Sequence, residues 1–254
     1  MDQVKPLVSI LLPIRNKDRF LHASIKSLLA QTYRNIEIIA VDDKSTDESP
    51  KILRIFRKRY KRIRLIQNKK QYGISVCLNR ALKRAKGTFI AFMDSQDLSH
   101  KERLQKQVAY LLANPKTVVV GTCGRLIDKN SKKCSKFVVP KDNSRIYQTL
   151  MTGLSMQFET AMINTTLLPK DIIYFQKNTY PLYLSEMFVK LFSYGLFANL
   201  EKFLYYKRQS KTRLWQKIKQ YPSLLKLFLK SKTMYDYHPS FWSLFLPLKT
   251  LIRH

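Results

Sequence analysis

Short apolar runs that alternate with helical patterns constrain the fold of this chain more than any other feature. The first four runs are Val8–Leu12, Ile36–Val41, Ile63–Ile66 and Thr88–Met93, and a segment with apolar residues at helical spacing follows each of them. A chain that repeats strand and helix in this way forms a mostly parallel sheet with right-handed crossovers. We therefore predict an α/β fold with a mostly parallel central sheet flanked by helices, and a fifth strand at Thr117–Thr122.

The alternation becomes irregular after Thr122. The elements expected there are a hairpin over Arg125–Val139 with its turn at Asp128–Lys133, a helix at Asn143–Met151, a strand at Thr160–Ile163, a helix at Leu184–Tyr194 and a short strand at Phe203–Tyr206. Local signals refine the first half of the chain. Ser49 before Pro50 is typical of a helix N-cap, Ser99 with Glu102 of a capping box, and Gly87 of a helix end.

The candidate site lies where the predicted strands end, because the carboxyl ends of neighbouring parallel strands meet at one crevice. The first strand brings Pro13, Ile14, Arg15 and Asn16 to this crevice, the second brings Asp42 and Asp43, and the fourth, which continues as MDSQD, brings Asp94, Gln96 and Asp97. Buried carboxylates need a cation, and oxygen ligands suit a hard ion such as Mg²⁺ or Mn²⁺. Neither a P-loop nor a GxGxxG fingerprint is present, so a nucleoside diphosphate would be bound through that ion. We expect the ion at Asp94 and Gln96, with Asp97 as the second charged ligand.

Four segments, in this order, resemble glycosyltransferase family 2. They are VSILLPIRN, IEIIAVDDKSTDES, YGISVCLNRALKRAKGTFIAFMDSQD and SEMFVKLFSYGLFANLEKFLYYKR, and together they cover about residues 6 to 208. The resemblance implies an A-type glycosyltransferase fold over residues 1–208, with a nucleotide-binding half at about 1–115 and an acceptor half at about 116–208. It also implies an inverting enzyme that moves a sugar from a nucleotide-diphosphate sugar, with a UDP-sugar favoured, to a hydroxyl of a lipid-linked or glycan acceptor in cell-envelope polysaccharide or glycolipid synthesis.

The resemblance also implies roles for individual residues. Positions that match nucleotide contacts of the family are Pro13, Ile14 and Arg15 with Asn16 beside them, Asp42, Asp43, Gly73 and Asn79. Asn79 has an equally good interpretation as an ordinary polar helix residue. Asp94, Ser95 and Gln96 occupy the family's metal-binding Asp-x-Asp positions, so that Asp94 would also serve catalysis by stabilising charge on the leaving diphosphate.

The implied general base is Glu186, which would take the proton of the acceptor hydroxyl. Its alternative interpretation is an ordinary acidic residue at a helix N-terminus. Three positions depart from the family pattern: Gln96 and Met187 each stand where Asp is usual, and Gln71 stands where Asn is frequent. Together they leave open a second hypothesis, a catalytically weak or inactive transferase fold that acts as a binding or scaffold protein.

The charge of the chain points to anionic partners. With 47 Lys and Arg against 17 Asp and Glu, the 254 residues carry a formal net charge of +30. Residues 209–254 interleave basic with aromatic and aliphatic residues, which is typical of an amphipathic helical tail on an anionic membrane surface. The alternative is that this apolar face packs on the catalytic domain. Nucleic acid is not expected as a partner, because no recognised binding module is present.

Localisation follows from what the sequence lacks. No apolar run approaches the roughly 18–20 residues that span a bilayer, and no signal peptide is recognisable. Cys77, Cys123 and Cys134 are unevenly spaced, which fits free thiols in a reducing cytosol. We therefore predict a cytoplasmic protein held peripherally at the inner face of the membrane.

Overall fold

The computed structural model describes residues 5–152, 155–176, 182–209 and 221–245. Its strands are β1 (Val8–Ile14), β2 (Ile36–Asp42), β3 (Ile63–Gln67), β4 (Phe89–Phe92), β5 (Leu98–Ser99), β6 (Thr117–Ile127), β7 (Lys133–Phe137), β8 (Met162–Asn164) and β9 (Leu196–Arg208). Its α-helices are α1 (Asp18–Leu29), α2 (Ser49–Arg59), α3 (Ile74–Leu82), α4 (Arg103–Ala113), α5 (Asn143–Thr149), α6 (Tyr183–Leu191) and α7 (Tyr221–Met234). The predicted α/β class is confirmed.

One mixed sheet organises the described residues. Its order is β3-β2-β1-β4-β8-β6-β9-β5, and β7 pairs with β6 outside this path. The first four strands run parallel to one another, as predicted from the strand–helix alternation. Strands β1 and β2 are buried on both faces because helices cover each side of the sheet. We expected β1 to stop at Pro13, but it continues to Ile14 through its pairing with β2. Pro13 is tolerated because β1 pairs with β4 only as far as Leu11.

Antiparallel pairing enters in the second half of the sheet. β8 lies antiparallel between β4 and β6, and β9 runs parallel to β6 over almost all of its length. The predicted hairpin forms, but its first strand is the continuation of β6. The predicted short strand Phe203–Tyr206 is wrong in extent, because β6 offers β9 a partner over its whole length and bulges absorb the mismatches.

Three local predictions fail because the side chain or backbone has another partner. Ser99 lies in β5, where its Oγ accepts a hydrogen bond from Gln31, so no capping box forms at α4. Ser49 is the first residue of α2, whose N-cap is Glu48, and it makes no side-chain cap. α3 ends at Leu82, before Gly87. A Cβ at Gly87 would lie 2.6 Å from the Leu7 carbonyl oxygen, so glycine permits the close approach to β1.

Helix α7 packs on the rest of the described chain through one of its faces. Leu224, Leu227 and Phe228 are buried in the same core cluster as Phe188 of α6, which bears out the packing interpretation for this face. Leu225 and Leu229 remain 50% and 59% exposed. Lys207 and Arg208 belong to β9 and not to a helix, whereas Lys211, Arg213, Lys217, Lys219, Leu246, Lys249 and Arg253 lie outside the described residues. No described helix combines the length and apolarity needed to cross a membrane.

Candidate active site

A cavity of about 380 Å³ opens at the carboxyl ends of β1, β2 and β4. The predicted site residues that line it are Pro13, Ile14, Arg15, Asp43, Gly73, Asp94 and Ser95. Gln71 and Cys77 also line it, and Cys77 is a buried free thiol whose pKa is raised to about 12 by burial and by the Asp43 charge. The convergence expected from parallel strand ends is therefore present.

The cavity wall includes the nucleotide-side loops, which we define as residues 13–18, 42–49 and 71–73. Hydrogen bonds join the first two loops: Asn16 Oδ1 accepts from Thr46 N at 2.8 Å, and Asp18 N donates to Asp47 Oδ2 at 3.0 Å. Asn16 adopts a positive φ of 49° to make this turn. Its side chain and that of Asp42, which accepts from Ser45 N at 3.2 Å, thus shape the loops and do not line the cavity.

Asp43 joins the second loop to the third. Its carboxylate accepts hydrogen bonds from Asn68 Nδ2 at 2.7 Å and from the backbone N–H groups of Tyr72 and Gly73 at 2.8 Å each. Burial alone would raise the pKa of this carboxyl, but the hydrogen bonds outweigh it and lower the pKa below its ordinary value. Asp43 is therefore a fixed negative charge in the cavity wall.

Asp94 follows β4 and presents a carboxylate to the same cavity. Its Oδ1 accepts the N–H of Gln96 at 3.0 Å, while burial raises the pKa of the carboxyl above its ordinary value and the Lys17 charge opposes that rise. Gln96 is turned towards the first loop, where its Oε1 accepts a hydrogen bond from Lys17 Nζ at 2.9 Å. The Asp94 carboxylate and the Lys17 side chain therefore both line the cavity in which the sequence predicts the metal ion.

Asp97 does not join Asp94 in the cavity. It is fully buried, and its two oxygens accept from Tyr205 Oη at 3.0 Å and from Arg208 N at 2.7 Å. Burial, together with the nearby Asp94 charge, raises the pKa of Asp97 to about 8. The geometry therefore makes Asp97 a contact between β4 and β9 and gives no support to its predicted role as a metal ligand.

Three charged residues of the cavity region were not predicted, namely Lys17, Glu159 and Lys207. Glu159 lines the cavity, and its carboxylate pairs with Lys207 Nζ at 3.1 Å. Glu159 lies three residues before β8, and β8 is antiparallel to β4, so the beginning of β8 lies beside the end of β4. Only this antiparallel pairing brings Glu159 to the cavity, and the sequence alone does not reveal the pairing.

Glu186 and Asn79 lie away from this cavity. Asn79 exchanges two hydrogen bonds with the backbone of Phe175, both at 2.9 Å, and so holds a loop on α3. Glu186 is buried and lines a second cavity of about 190 Å³ between α6 and α7. Its carboxylate forms an ion pair with Lys230 and accepts a hydrogen bond from Tyr235 Oη at 2.9 Å. We call Glu186, Lys230 and Tyr235 the tail seat.

The residues present fit a divalent ion that is held largely by a substrate. In the part of the chain that is described, no group of three His, Cys, Asp or Glu side chains converges as a metal cage. Asp94 nevertheless has one carboxylate oxygen with no hydrogen bond to the described residues, because only its Oδ1 accepts one, from Gln96 N. Mg²⁺ sites commonly use one or two carboxylates and complete their shell with substrate phosphates and water. Asp94 is suited to such a site.

Solved structures share this architecture. The chain superposes on residues 1–349 of TarS of S. aureus in complex with UDP with a TM-score of 0.70, at 22% identity, over 91% of this chain and 68% of that fragment. It superposes on the mannosyltransferase PcManGT from Pyrobaculum calidifontis, in complex with GDP-Man and Mn²⁺, with a TM-score of 0.67 at 18% identity, over 91% of this chain and 65% of PcManGT. The fold is the A-type glycosyltransferase fold.

Sequence comparison supplies the family. The model of glycosyl transferase family 2 matches residues 9–163, more than half of the chain, so the chain belongs to this family. The UDP-Glc:alpha-D-GlcNAc-diphosphoundecaprenol beta-1,3-glucosyltransferase WfgD of Escherichia coli is 34% identical over 180 residues, which are 70% of this chain and 69% of WfgD. EpsE of Bacillus subtilis (strain 168) is 44% identical over 118 residues, which are 46% of this chain and 42% of EpsE. The chain thus spans less than half the length of EpsE.

Proposed function

We propose that this chain transfers a sugar from a nucleotide-diphosphate sugar to a hydroxyl acceptor during synthesis of a cell-envelope polysaccharide or glycolipid. The observation that carries the proposal is the cavity at the ends of three parallel strands, where Asp43 and Asp94 meet beside Gly73 at the start of α3. A UDP-sugar is the favoured donor, because a fixed carboxylate such as Asp43 can accept a uracil N–H. The names of WfgD and TarS, with a UDP-linked donor and bound UDP, support the same choice.

The positions of the residues around the cavity suggest a separate role for each group of them. The wall formed by Pro13, Ile14, Arg15 and Gly73 would hold the nucleotide, and Asp94 with Ser95 would face its diphosphate. A divalent ion, when bound at Asp94 and Gln96, would neutralise charge on the leaving diphosphate, and the Mn²⁺ in PcManGT supports this expectation. Residues 1–208 would form the catalytic domain and 209–254 its basic tail.

Glu186 is our candidate for the general base that takes the acceptor's proton. Its carboxylate is paired with Lys230 in this structure, so it would serve as base only after exchanging that contact for the acceptor hydroxyl. The same ion pair favours the second hypothesis, a binding or scaffold protein in which Glu186 only seats the tail. Sugar transfer distinguishes the two hypotheses, because a scaffold would bind the donor without turnover.

The test is a donor screen by thermal shift with UDP-glucose, UDP-GlcNAc and GDP-mannose, each with Mn²⁺ and with EDTA. We expect a UDP-sugar to raise the melting temperature and to release UDP slowly by hydrolysis. Asp94→Ala should lose the Mn²⁺-dependent part of this stabilisation, whereas Glu201→Ala, which removes an exposed carboxylate paired with Lys141, should keep it. The site assignment is wrong if Asp94→Ala responds to donor and Mn²⁺ as the wild type does.

The membrane surface is the proposed place of action, at the cytoplasmic face and with a lipid-linked or glycan acceptor. Support comes from the exposed apolar side chains of the tail, with Phe241 59% and Trp242 75% exposed, beside a basic helix. Vesicle co-sedimentation tests it: we expect binding to vesicles that contain phosphatidylglycerol and much weaker binding to phosphatidylcholine alone. Equal binding to both compositions would contradict the proposal that the basic tail is attracted to anionic lipid.

A further inference from the structure

Lys17 holds a position in the cavity that sequence analysis did not assign. It follows β1 by three residues, is half-buried, and lines the same cavity as Asp94. Its ammonium donates a hydrogen bond to Gln96 Oε1 at 2.9 Å. A lysine ammonium thus lies at the side chain that stands in the second acidic position of the Asp-x-Asp pattern.

The backbone that carries Lys17 is fixed by the neighbouring loop. Lys17 N donates to Ser49 Oγ at 3.0 Å, and Ser49 is fully buried. Hydrogen bonds between Asn16 and Thr46 and between Asp18 and Asp47 hold the residues on either side. The backbone of Lys17 is therefore fixed by these hydrogen bonds, and only the end of its side chain is free to change position.

The charge of Lys17 is less compensated than that of the other lysine beside the cavity. The Lys207 ammonium pairs with the Glu159 carboxylate and also donates to Gln157. By contrast, the hydrogen-bond partner of Lys17 is a neutral amide oxygen, and no described carboxylate forms an ion pair with it. A partly desolvated cation with a neutral partner favours a further anionic ligand.

We infer that the Lys17 ammonium binds the diphosphate of the donor directly, so that the chain itself supplies one of the positive charges there. The inference rests on the proposed function, since it names a further residue of the same donor site. It also explains Gln96 in physical terms. An aspartate at position 96 would pair with Lys17 and cancel its charge, whereas the glutamine amide holds the ammonium in place and leaves it positive. A divalent ion at Asp94 would add to this charge.

Calorimetric titration with UDP, at fixed ionic strength, in EDTA and in Mn²⁺, tests the inference. Wild type should bind UDP in EDTA, and Lys17→Met should weaken that binding by about 10-fold or more, the loss expected for one hydrogen bond to a charged group. Lys17→Arg should keep most of the affinity. The matched control Lys26→Met removes the same charge from an exposed position near the end of α1 and should leave the affinity unchanged.

Gln96→Asp gives an independent measurement. It should weaken binding of UDP in EDTA, because the new carboxylate pairs with Lys17, and should recover affinity in Mn²⁺, because the same carboxylate becomes a metal ligand. The inference is overturned if Lys17→Met binds UDP in EDTA as tightly as wild type, or if wild type binds UDP only with Mn²⁺. If wild type binds UDP in neither buffer, the proposed donor site itself fails, which separates the two conclusions. Melting temperatures of all variants control for loss of folding.

Discussion

The nucleotide-side loops and the tail seat both bury polar groups, but they satisfy them in different ways. In the loops, side chains such as Asn16, Asp47 and Ser49 accept hydrogen bonds from backbone N–H groups that lie about 30 residues away in sequence. In the tail seat, the buried carboxylate of Glu186 is held by two side chains of the tail, Lys230 and Tyr235. Loss of one contact should therefore be tolerated in the loops and costly in the tail seat.

The difference also separates two kinds of function. A wall built from backbone contacts keeps its shape when substrate enters, which suits a rigid nucleotide pocket. A carboxylate held by one ion pair can exchange its partner, which suits a group that meets the acceptor. The following predictions test this contrast.

The largest expected effect concerns the chemistry of the tail seat. Glu186→Gln should reduce the rate of sugar transfer by about 100-fold or more, the size usual for loss of a general base, while UDP affinity changes little. The measurement is the turnover number with the donor identified by the screen, alongside calorimetric UDP affinity. Glu201→Gln, which removes an exposed carboxylate paired with Lys141, is the matched control and should keep full activity. Full activity of Glu186→Gln would show that Glu186 is not the general base and only holds the tail in place.

The next effect is on stability. Lys230→Met leaves the buried Glu186 without the ammonium that balances its charge, so the free energy of unfolding should fall by about 3 kcal/mol, as for other broken buried pairs. Chemical denaturation measures it. Lys226→Met, at an exposed position on the same helix, should change stability little.

A double variant separates charge from packing in the tail seat. Glu186→Gln combined with Lys230→Met removes both charges, so it should recover most of the stability lost in Lys230→Met alone. If Lys230→Met and Lys226→Met are equally stable, the tail seat does not depend on its ion pair and the contrast with the loops fails.

Asp43 is the side chain on which the loops depend most. Asp43→Asn should lower the free energy of unfolding by about 2 kcal/mol at pH 7, because one of its oxygens becomes an N–H₂ group that cannot accept the Gly73 N–H. The pKa of Asp43 is lowered in the folded protein, so its stabilising effect is present above the ordinary carboxyl pKa of about 3.9 and is lost as pH falls through the folded value. The difference in melting temperature between wild type and Asp43→Asn should therefore shrink below about pH 4. A difference that stays constant from pH 7 to pH 3 would exclude a charge effect.

Gly73 adds backbone geometry to the same loops. Its φ of 87° with ψ of 166° is strained for any residue with a Cβ, although no atom lies within 4 Å of the place where a Cβ would stand. Gly73→Ala should therefore cost about 1–2 kcal/mol through strain alone and should weaken UDP binding, since the Gly73 N–H would turn away from Asp43. Ser75→Ala, two residues into the following helix, provides a control for helix stability. Unchanged stability of Gly73→Ala would show that the loop relaxes freely.

Features that depend on local sequence patterns were predictable from the sequence, whereas features that depend on distant partners were not. The parallel arrangement of the first four strands and the meeting of Asp43 with Asp94 follow from local patterns and from a general rule about strand ends. Glu159, the contacts of Asp97 and the length of β9 were not foreseen because the partners lie far along the chain: Asp97 contacts Tyr205 and Arg208, more than 100 residues away. The pairing of β8 with β4 and of β9 with β5 and β6 decides these contacts, and no local periodicity encodes it.

The smallest expected effect tests whether several hydrogen bonds, and not a single one, hold the nucleotide-side loops in place. Ser49→Ala leaves the Lys17 N–H without its acceptor, and the free energy of unfolding should fall by about 1 kcal/mol, the usual value for one neutral hydrogen bond. Because the Asn16 and Asp18 contacts still hold the loop, Lys17 should stay near Gln96 and UDP affinity in EDTA should fall less than threefold, well short of the loss expected for Lys17→Met. Ser193→Ala, at an exposed helix end, is the control for a serine hydroxyl without such a role. If Ser49→Ala instead weakens UDP binding as much as Lys17→Met, a single hydrogen bond positions Lys17, and the loops are as dependent on one contact as the tail seat.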